Sequence, residues 1–248
     1  MSSIKLFTRN ALEHSFVECS QEADEGFLID RLYDRSIDFG WRISDVDYAE
    51  YLTIIQPLSN IVELDHLILG RNNSDSKIWW ILYYYDDVLA DYVPIVDPFM
   101  PPSGEYTTGK SFTALTERTF KLLYNPDSVF DLFCSEIFLS KANELRISDM
   151  KKPTTGIAKN VDSVLTVGGS IRQIKNGYEK RNYSYFVTLD EIEYASLSED
   201  LSFLAGYSKP FFIQDHEDEY VFVRFRNNIA YEWVRPDVIR IQLDLVEI

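Results

Sequence analysis

The chain reads as mainly β: a β-sandwich in the first half, then a smaller β-sandwich or barrel crossed by one helix. Three observations predict this. Phe, Tyr and Trp make up 15% of the 248 residues, against only 10 Gly and 9 Pro, a composition suited to pleated, half-buried surfaces. Most hydrophobic segments alternate with period two. A single segment carries apolar residues at convincingly helical spacing. Hydrophobic residues reach 46%, enough for a sizeable core, and the length suits one large β domain or two ordinary ones.

In the first half, "FLIDRLYD" (27–34) and "YLTIIQPL" (51–58) are short β-rich runs bounded by polar or turn residues. "IVELDHLILGRNN" (61–73) is a strand that stops at Gly70. A glycine there is expected to turn the chain sharply out of its sheet, with the asparagine side chains bracing the loop. "KIWWILYYYDD" (77–87) puts Trp79, Ile81, Tyr83 and Tyr85 on one face and Trp80, Leu82 and Tyr84 on the other. Both faces are apolar or aromatic, so this strand is expected inside a sandwich; exposed, it would invite aggregation. "RTFKLLYN" and "DLFCSEIFLSK" are two further strands, separated by the turn residues "NPDS".

The segment 93–112, "VPIVDPFMPPSGEYTTGKSF", holds four prolines and two glycines and cannot be a central strand. It reads as a long loop, either a partner-contact arm with Tyr92, Phe99, Met100 and Tyr106 or a crossover whose aromatics pack on the domain itself. After residue 147 the polar stretch "SDMKKPTTGIAKNVDS" reads as a linker or meander, which divides the chain into 1–150 and 151–248.

The second half opens with "GGSIRQIKNGYEKRNYSYFVTLDEI", where Asn176-Gly177 favours a tight hairpin turn. The strand after it places Tyr183, Tyr185, Val187 and Leu189 on one face. A helix follows: Asp190 and Glu193 form a capping box, Ile192, Leu197, Leu201 and Leu204 recur at roughly helical spacing, and Gly206 ends it. Strands return in "KPFFIQD", "YVFVRFR" and "DVIRIQLDLVEI". In the last, Ile239, Ile241, Leu243 and Leu245 face inward.

Charge and chemistry exclude more than they select. A net charge of −16 repels phosphate backbones and anionic membrane surfaces. No apolar run approaches a bilayer span, and the N-terminus lacks the apolar core of a signal peptide, so a protein made in the cytoplasm that stays soluble there, or leaves by cell lysis, is expected. Cys19 and Cys134 could form one disulfide, but two separate, mostly buried thiols are expected. His66 beside Asp65 could pair as in a relay, yet no Ser or Cys sits in a strained nucleophile turn. "QDHEDEY" (214–220) lacks the spacing of a calcium loop and reads as a solvated turn, as does the group Asp86, Asp87 and Asp91. The glycines of "VGGSIRQ" match no phosphate-binding pattern. No catalytic residue, metal site or cofactor is expected.

The order of these motifs resembles phage virion proteins with a discoidin-like (galactose-binding-like) jelly roll. There, a strand ending in Gly, a basic residue and Asn precedes an aromatic-rich strand, as Gly70-Arg71-Asn72 precedes "KIWWILYYYDD" here. "LFCSEIFLSK" is similar to a late strand pair of that fold, although Ser135 and Ser140 stand where glycines are usual. "GGSIRQ", "EDLSFLAGY", "KPFFIQD" and "IRIQLDLVEI" follow the order of a module in distal tail proteins. The resemblance covers most of the chain as pattern. It implies a jelly roll at 1–150, a distal-tail-like β domain at 151–248, and a non-enzymatic structural component of a virion tail, near its tip or baseplate. Its partners would be other tail proteins, in a trimer or hexameric ring, with contacts through Tyr92, Phe99, Met100, Tyr106, Asn176 and Gly177. The alternative is a carbohydrate-binding module for host-surface glycans, with Trp41, Asn72, Asn73 and Tyr106 as candidate contacts. Trp41 has a second reading as a core residue.

Overall fold

A computed structural model describes residues 3–21, 23–24, 29–35, 40–46, 48–73, 77–102, 107–157, 160–165, 171–176, 179–206 and 209–248; the side chains of 31, 32, 130 and 151–180 are not described. The protein is mainly β with one α-helix among these residues. The strands are β1 (Ser3–Phe7), β2 (Phe16–Cys19), β3 (Trp41–Val46), β4 (Glu50–Ile55), β5 (Leu64–Asn72), β6 (Ile78–Asp86), β7 (Asp91–Phe99), β8 (Thr108–Leu115), β9 (Thr119–Pro126) and β10 (Phe130–Ser140). There follow β11 (Asn143–Ile157), β12 (Asn160–Leu165), β13 (Ile171–Asn176), β14 (Glu179–Asp190), helix α1 (Glu191–Gly206), β15 (Phe211–Gln214), β16 (Tyr220–Phe225), β17 (Ala230–Arg235) and β18 (Val238–Glu247). The chain divides into two compact units, one of residues 3–144 with 210–222, the other of 1–2, 145–209 and 223–248.

The larger unit is a β-sandwich. A four-stranded sheet of order β3-β10-β5-β8 faces a five-stranded sheet of order β2-β4-β9-β6-β7. The core between them takes Trp41, Ile43, Leu67, Leu69, Ile137 and Leu139 from the first sheet and Leu52, Ile54, Trp80, Leu82, Phe120, Leu122 and Tyr124 from the second. Trp41 and Tyr124 meet edge to face, with ring centroids 5.5 Å apart. Cys19 and Cys134 are both free thiols, the first half-buried and the second buried.

The two outer faces of this sandwich differ. The antiparallel pair β1–β15 and the start of β16 cover the four-stranded sheet with aromatic rings. Phe212 packs edge to face on Phe138 at 5.0 Å, Phe7 lies 5.0 Å from the His66 ring, and Phe212 and Phe222 stand 4.5 Å apart. Gly70 belongs to this contact. It does not turn the chain out of the sheet as expected: β5 continues to Asn72, and Gly70 sits opposite Glu136 of β10. A Cβ there would lie 2.7 Å from the Phe212 ring, so the glycine provides close approach and not a turn. The asparagine bracing does hold. Asn73 accepts from the Phe133 N–H at 2.7 Å and donates to the Asp131 carbonyl at 2.8 Å.

Several expectations give way to the fold. The run 27–34 contains a short 3-10 helix, Ile29–Leu32, where a strand was expected. The proline-rich segment forms β7, at the edge of its sheet, where a missing N–H costs no ladder bond. The end of the same segment belongs to β8 in the four-stranded sheet, so the segment joins the two sheets as its crossover reading expects. The polar stretch after 147, expected as a linker or meander, begins within the 15-residue strand β11. Pro153 falls where its register with β14 shifts, between Lys151 and Thr154, and bulges are where a sheet tolerates proline.

In the smaller unit, β14 pairs along β18 so that Tyr183, Tyr185, Val187 and Leu189 oppose Leu245, Leu243, Ile241 and Ile239. All eight are buried, as the alternation requires. The capping box forms with both arms: Glu193 N–H donates to Asp190 at 2.8 Å and Asp190 N–H to Glu193 at 3.0 Å. Leu197, Leu201 and Leu204 form the buried stripe of α1, whereas Ile192 is exposed. Strand β17 has no counterpart in the sequence reading. It pairs with β18 and all six of its residues are exposed.

Candidate functional site

The open face of the sandwich is the outer surface of the five-stranded sheet. Period-two alternation turns Trp80, Leu82, Phe120 and Leu122 into the core and leaves the intervening residues on the other side. That side carries Trp79, Ile81, Tyr83 and Tyr85 from β6, Lys121 and Leu123 from β9, and Tyr51 and Thr53 from β4. Tyr51 and Trp79 are exposed and the others half-buried. The expectation that β6 is buried on both faces is therefore corrected: one of its two aromatic faces looks outward. The sequence showed the alternation but not which layer, if any, covered the second face.

Register brings this set together. Lys121 lies opposite Thr53 of β4 on one side and Tyr83 of β6 on the other. Tyr51 pairs with Leu123, Tyr85 with Tyr92 of the edge strand β7. The Lys121 ammonium stands over two rings, 4.2 Å from the Tyr51 centroid and 4.4 Å from that of Tyr92. Tyr92 also meets Tyr85 edge to face at 5.3 Å. Cation–π attraction of this kind holds a lysine head in place that would otherwise be mobile. Burial, with Tyr51 and Tyr85 nearby, raises the Tyr92 phenol above its ordinary pKa, so its hydroxyl stays protonated and can both donate and accept.

The residues singled out from sequence fare unevenly. Tyr92 belongs to the open face. Phe99 is buried, with the Lys110 ammonium 5.3 Å from its ring centroid, and Met100 is half-buried. Asn176 ends β13, opposite Asn160; Gly177 and Tyr106 lie outside the described residues. Trp41 is fully buried against Tyr124 and offers no platform to a ligand. Asn72 is buried too, and Asn73 is engaged by the β10 backbone. Of the expected glycan contacts at this end, then, Trp41 and Asn72 are buried and Asn73 is bonded to backbone. No signal in the sequence marked Lys121 or Tyr51; the sheet order that joins them to Tyr92 is long-range.

Reactive groups elsewhere are also absorbed by structure. His66 Nδ1 pairs with Asp65 at 2.6 Å, but the hydroxyl of Ser140, opposite His66, donates to the Arg9 carbonyl at 2.6 Å and completes no relay. In 214–220, Asp215 accepts from the N–H groups of Glu217 and Glu219 at 2.8 and 3.1 Å, which makes a hairpin turn. Asp86 does the same for Val88 and Leu89 at 2.8 and 3.1 Å. Among the described residues there is no cluster of His, Cys, Asp and Glu able to hold a metal ion, and no helix long and apolar enough to cross a membrane.

No family model matches the chain, and no curated protein does. Among solved structures, a GH29 fucosidase of Ruminococcus gnavus in complex with fucose is similar over 55% of this chain, at 15% identity and a TM-score of 0.45. The match spans 27% of the fucosidase. A pectin-binding carbohydrate-binding module is similar over 51% of the chain and 89% of its own length, at 14% identity and a TM-score of 0.42. A chitosan-binding module from a chitosanase/glucanase of Paenibacillus is similar over 54% of the chain and 99% of its own length, at 12% identity and a TM-score of 0.42.

Proposed function

We propose that this protein is a non-catalytic carbohydrate-binding module and that the outer face of its five-stranded sheet is the binding surface. The observation that carries the reading is the set Tyr51, Tyr92 and Lys121, flanked by Trp79, Tyr83 and Tyr85 on a face that no other element of the larger unit covers among the described residues. Sugar rings present a polarised C–H face that packs on an aromatic quadrupole, and their hydroxyls need nearby donors and acceptors. A pleated sheet spaces such side chains regularly across strands, which suits an extended glycan. The test is affinity for a panel of oligosaccharides by titration calorimetry. Wild-type protein should bind at least one glycan saturably, and Tyr92→Ala should weaken that binding tenfold or more (about 1.4 kcal/mol) with the melting temperature nearly unchanged. Absence of saturable binding across the panel would sink the reading.

A second reading, a non-enzymatic structural component of a phage tail near its tip, rests on β17. Among the described residues this strand lies at the end of its sheet, with Tyr231 and Trp233 exposed, and an aromatic edge of this kind suits addition of a neighbour's strand. In this reading the chain assembles as a trimer or hexameric ring with other tail proteins, as its motif order implies. Quantitative mass spectrometry of purified particles would show a fixed copy number in multiples of three. Absence from particles would remove it.

A further inference from the structure

We infer that the glycan taken by this face is acidic, and that Lys121 is the residue that reads its carboxylate. The inference rests on the carbohydrate-binding reading and names the substrate class. Three features carry it. The Lys121 ammonium is held between the Tyr51 and Tyr92 rings at 4.2 and 4.4 Å, so its position is fixed at the middle of the aromatic set. No carboxylate among the described residues pairs with it, although the chain carries 40 acidic residues against 24 basic ones. It also sits on the central strand of the five, between β4 and β6, where a sugar lying across the tyrosines would pass.

A uronic acid fits that arrangement. Its carboxylate projects from the edge of the pyranose ring, so the C–H face can stack on a tyrosine while the carboxylate meets the ammonium in a charge-assisted hydrogen bond. The net charge of −16 opposes an anionic ligand at long range. That repulsion is screened beyond about 8 Å at physiological salt, and the contact itself is made with the Lys121 ammonium. A neutral sugar would stack equally well and offer the ammonium hydroxyl acceptors but no opposite charge, so the discrimination should be between acid and ester and not between sugar and no sugar.

Methyl esterification removes the charge and keeps the ring, which gives the experiment. Affinities of the full chain for oligogalacturonate and for its methyl ester are measured by calorimetry, with Lys121→Met and Lys121→Arg alongside. The wild type should bind the acid about five- to tenfold more tightly than the ester. Lys121→Met should bring the two affinities together, and Lys121→Arg should preserve the preference. Equal affinity for acid and ester, or a preference that survives Lys121→Met, would overturn the inference and leave glycan binding standing. No binding of either, nor of any neutral oligosaccharide, would overturn both readings together. Thermal melts of the two variants separate a lost contact from a lost fold.

Discussion

The ring of Phe212 occupies the space in which a side chain on Gly70 would begin, 2.7 Å from the position of its Cβ. The pair joins β5 to the aromatic layer on the four-stranded sheet, and it is the reason a glycine interrupts an otherwise buried apolar strand. Gly70→Ala is expected to destabilise the protein by about 1–3 kcal/mol, the usual cost of overpacking a filled core. Because the clash is with one ring, Phe212→Leu in the same chain should recover part of that loss. Urea denaturation of both single variants and the double variant checks this. Strict additivity would show that Phe212 is not what Gly70 accommodates.

The next position across the ladder supplies a pH dependence. Glu136 is fully buried opposite Gly70, and neither carboxyl oxygen has a hydrogen-bond partner among the described residues. Burial, reinforced by Asp34 and partly offset by Arg35, pushes its pKa up to about 10. The folded state therefore holds a proton that the unfolded chain releases near its ordinary value of about 4.3. Below that pH the group costs nothing. Above it, stability falls as pH rises, until the folded pKa is passed. Glu136→Gln keeps the shape and removes the proton linkage, so its melting temperature should exceed that of wild type at pH 8, with the gain shrinking towards pH 4.5. A difference between the two proteins that does not change with pH would contradict the assignment.

What was legible in the sequence was local. The alternation of Tyr183 to Leu189 and of Ile239 to Leu245, and the capping box of α1, each depend on neighbours a few residues apart, and each forms as read. What was not legible depends on residues far away in the chain. Gly70 reads as a turn in the sequence because its partner, Phe212, is 142 positions later. Pro153 marked a linker until a bulge in β11 gave it a place. The outward aromatic face of β6 could not be told from its inward one, since both read as apolar and only the position of the second sheet decides between them. Trp41 could be read as core or as platform, and the Tyr124 ring against it decides for core. The candidate site shows the same division: Tyr92 stands out in the sequence as an aromatic of the proline-rich segment, but its relation to Lys121 and Tyr51 exists only once β7, β6, β9 and β4 lie side by side.

The capping box offers a test confined to the smaller unit. Asp190→Ala removes the acceptor of the Glu193 N–H and should cost about 0.5–2 kcal/mol. Asp190→Asn or Asp190→Ser, which keep an oxygen at the cap, should recover most of it. Hydrogen exchange would place the loss in the first turn of α1, and unchanged protection there with Asp190→Ala would show that the cap contributes nothing to helix stability.

The two thiols differ in what surrounds them, and their reactivity should follow. Cys134 is fully buried, and burial raises its pKa to about 12. Cys19 is half-buried, its sulfur 3.3 Å from the Tyr124 hydroxyl, and burial raises its pKa also. The thiolate is the reacting form, so neither should be alkylated quickly by iodoacetamide at pH 7.5 in the native protein. Cys19 needs only local opening of β2, a short strand held by β4 alone, whereas Cys134 lies in the core between Trp41 and Asn72, its register partners in β3 and β5. Mass spectrometry of alkylated peptides should therefore show Cys19 labelled first, with Cys134 labelled only at the rate of global unfolding. Labelling of Cys134 before Cys19 would mean that the four-stranded sheet opens more readily than the edge of the five-stranded one.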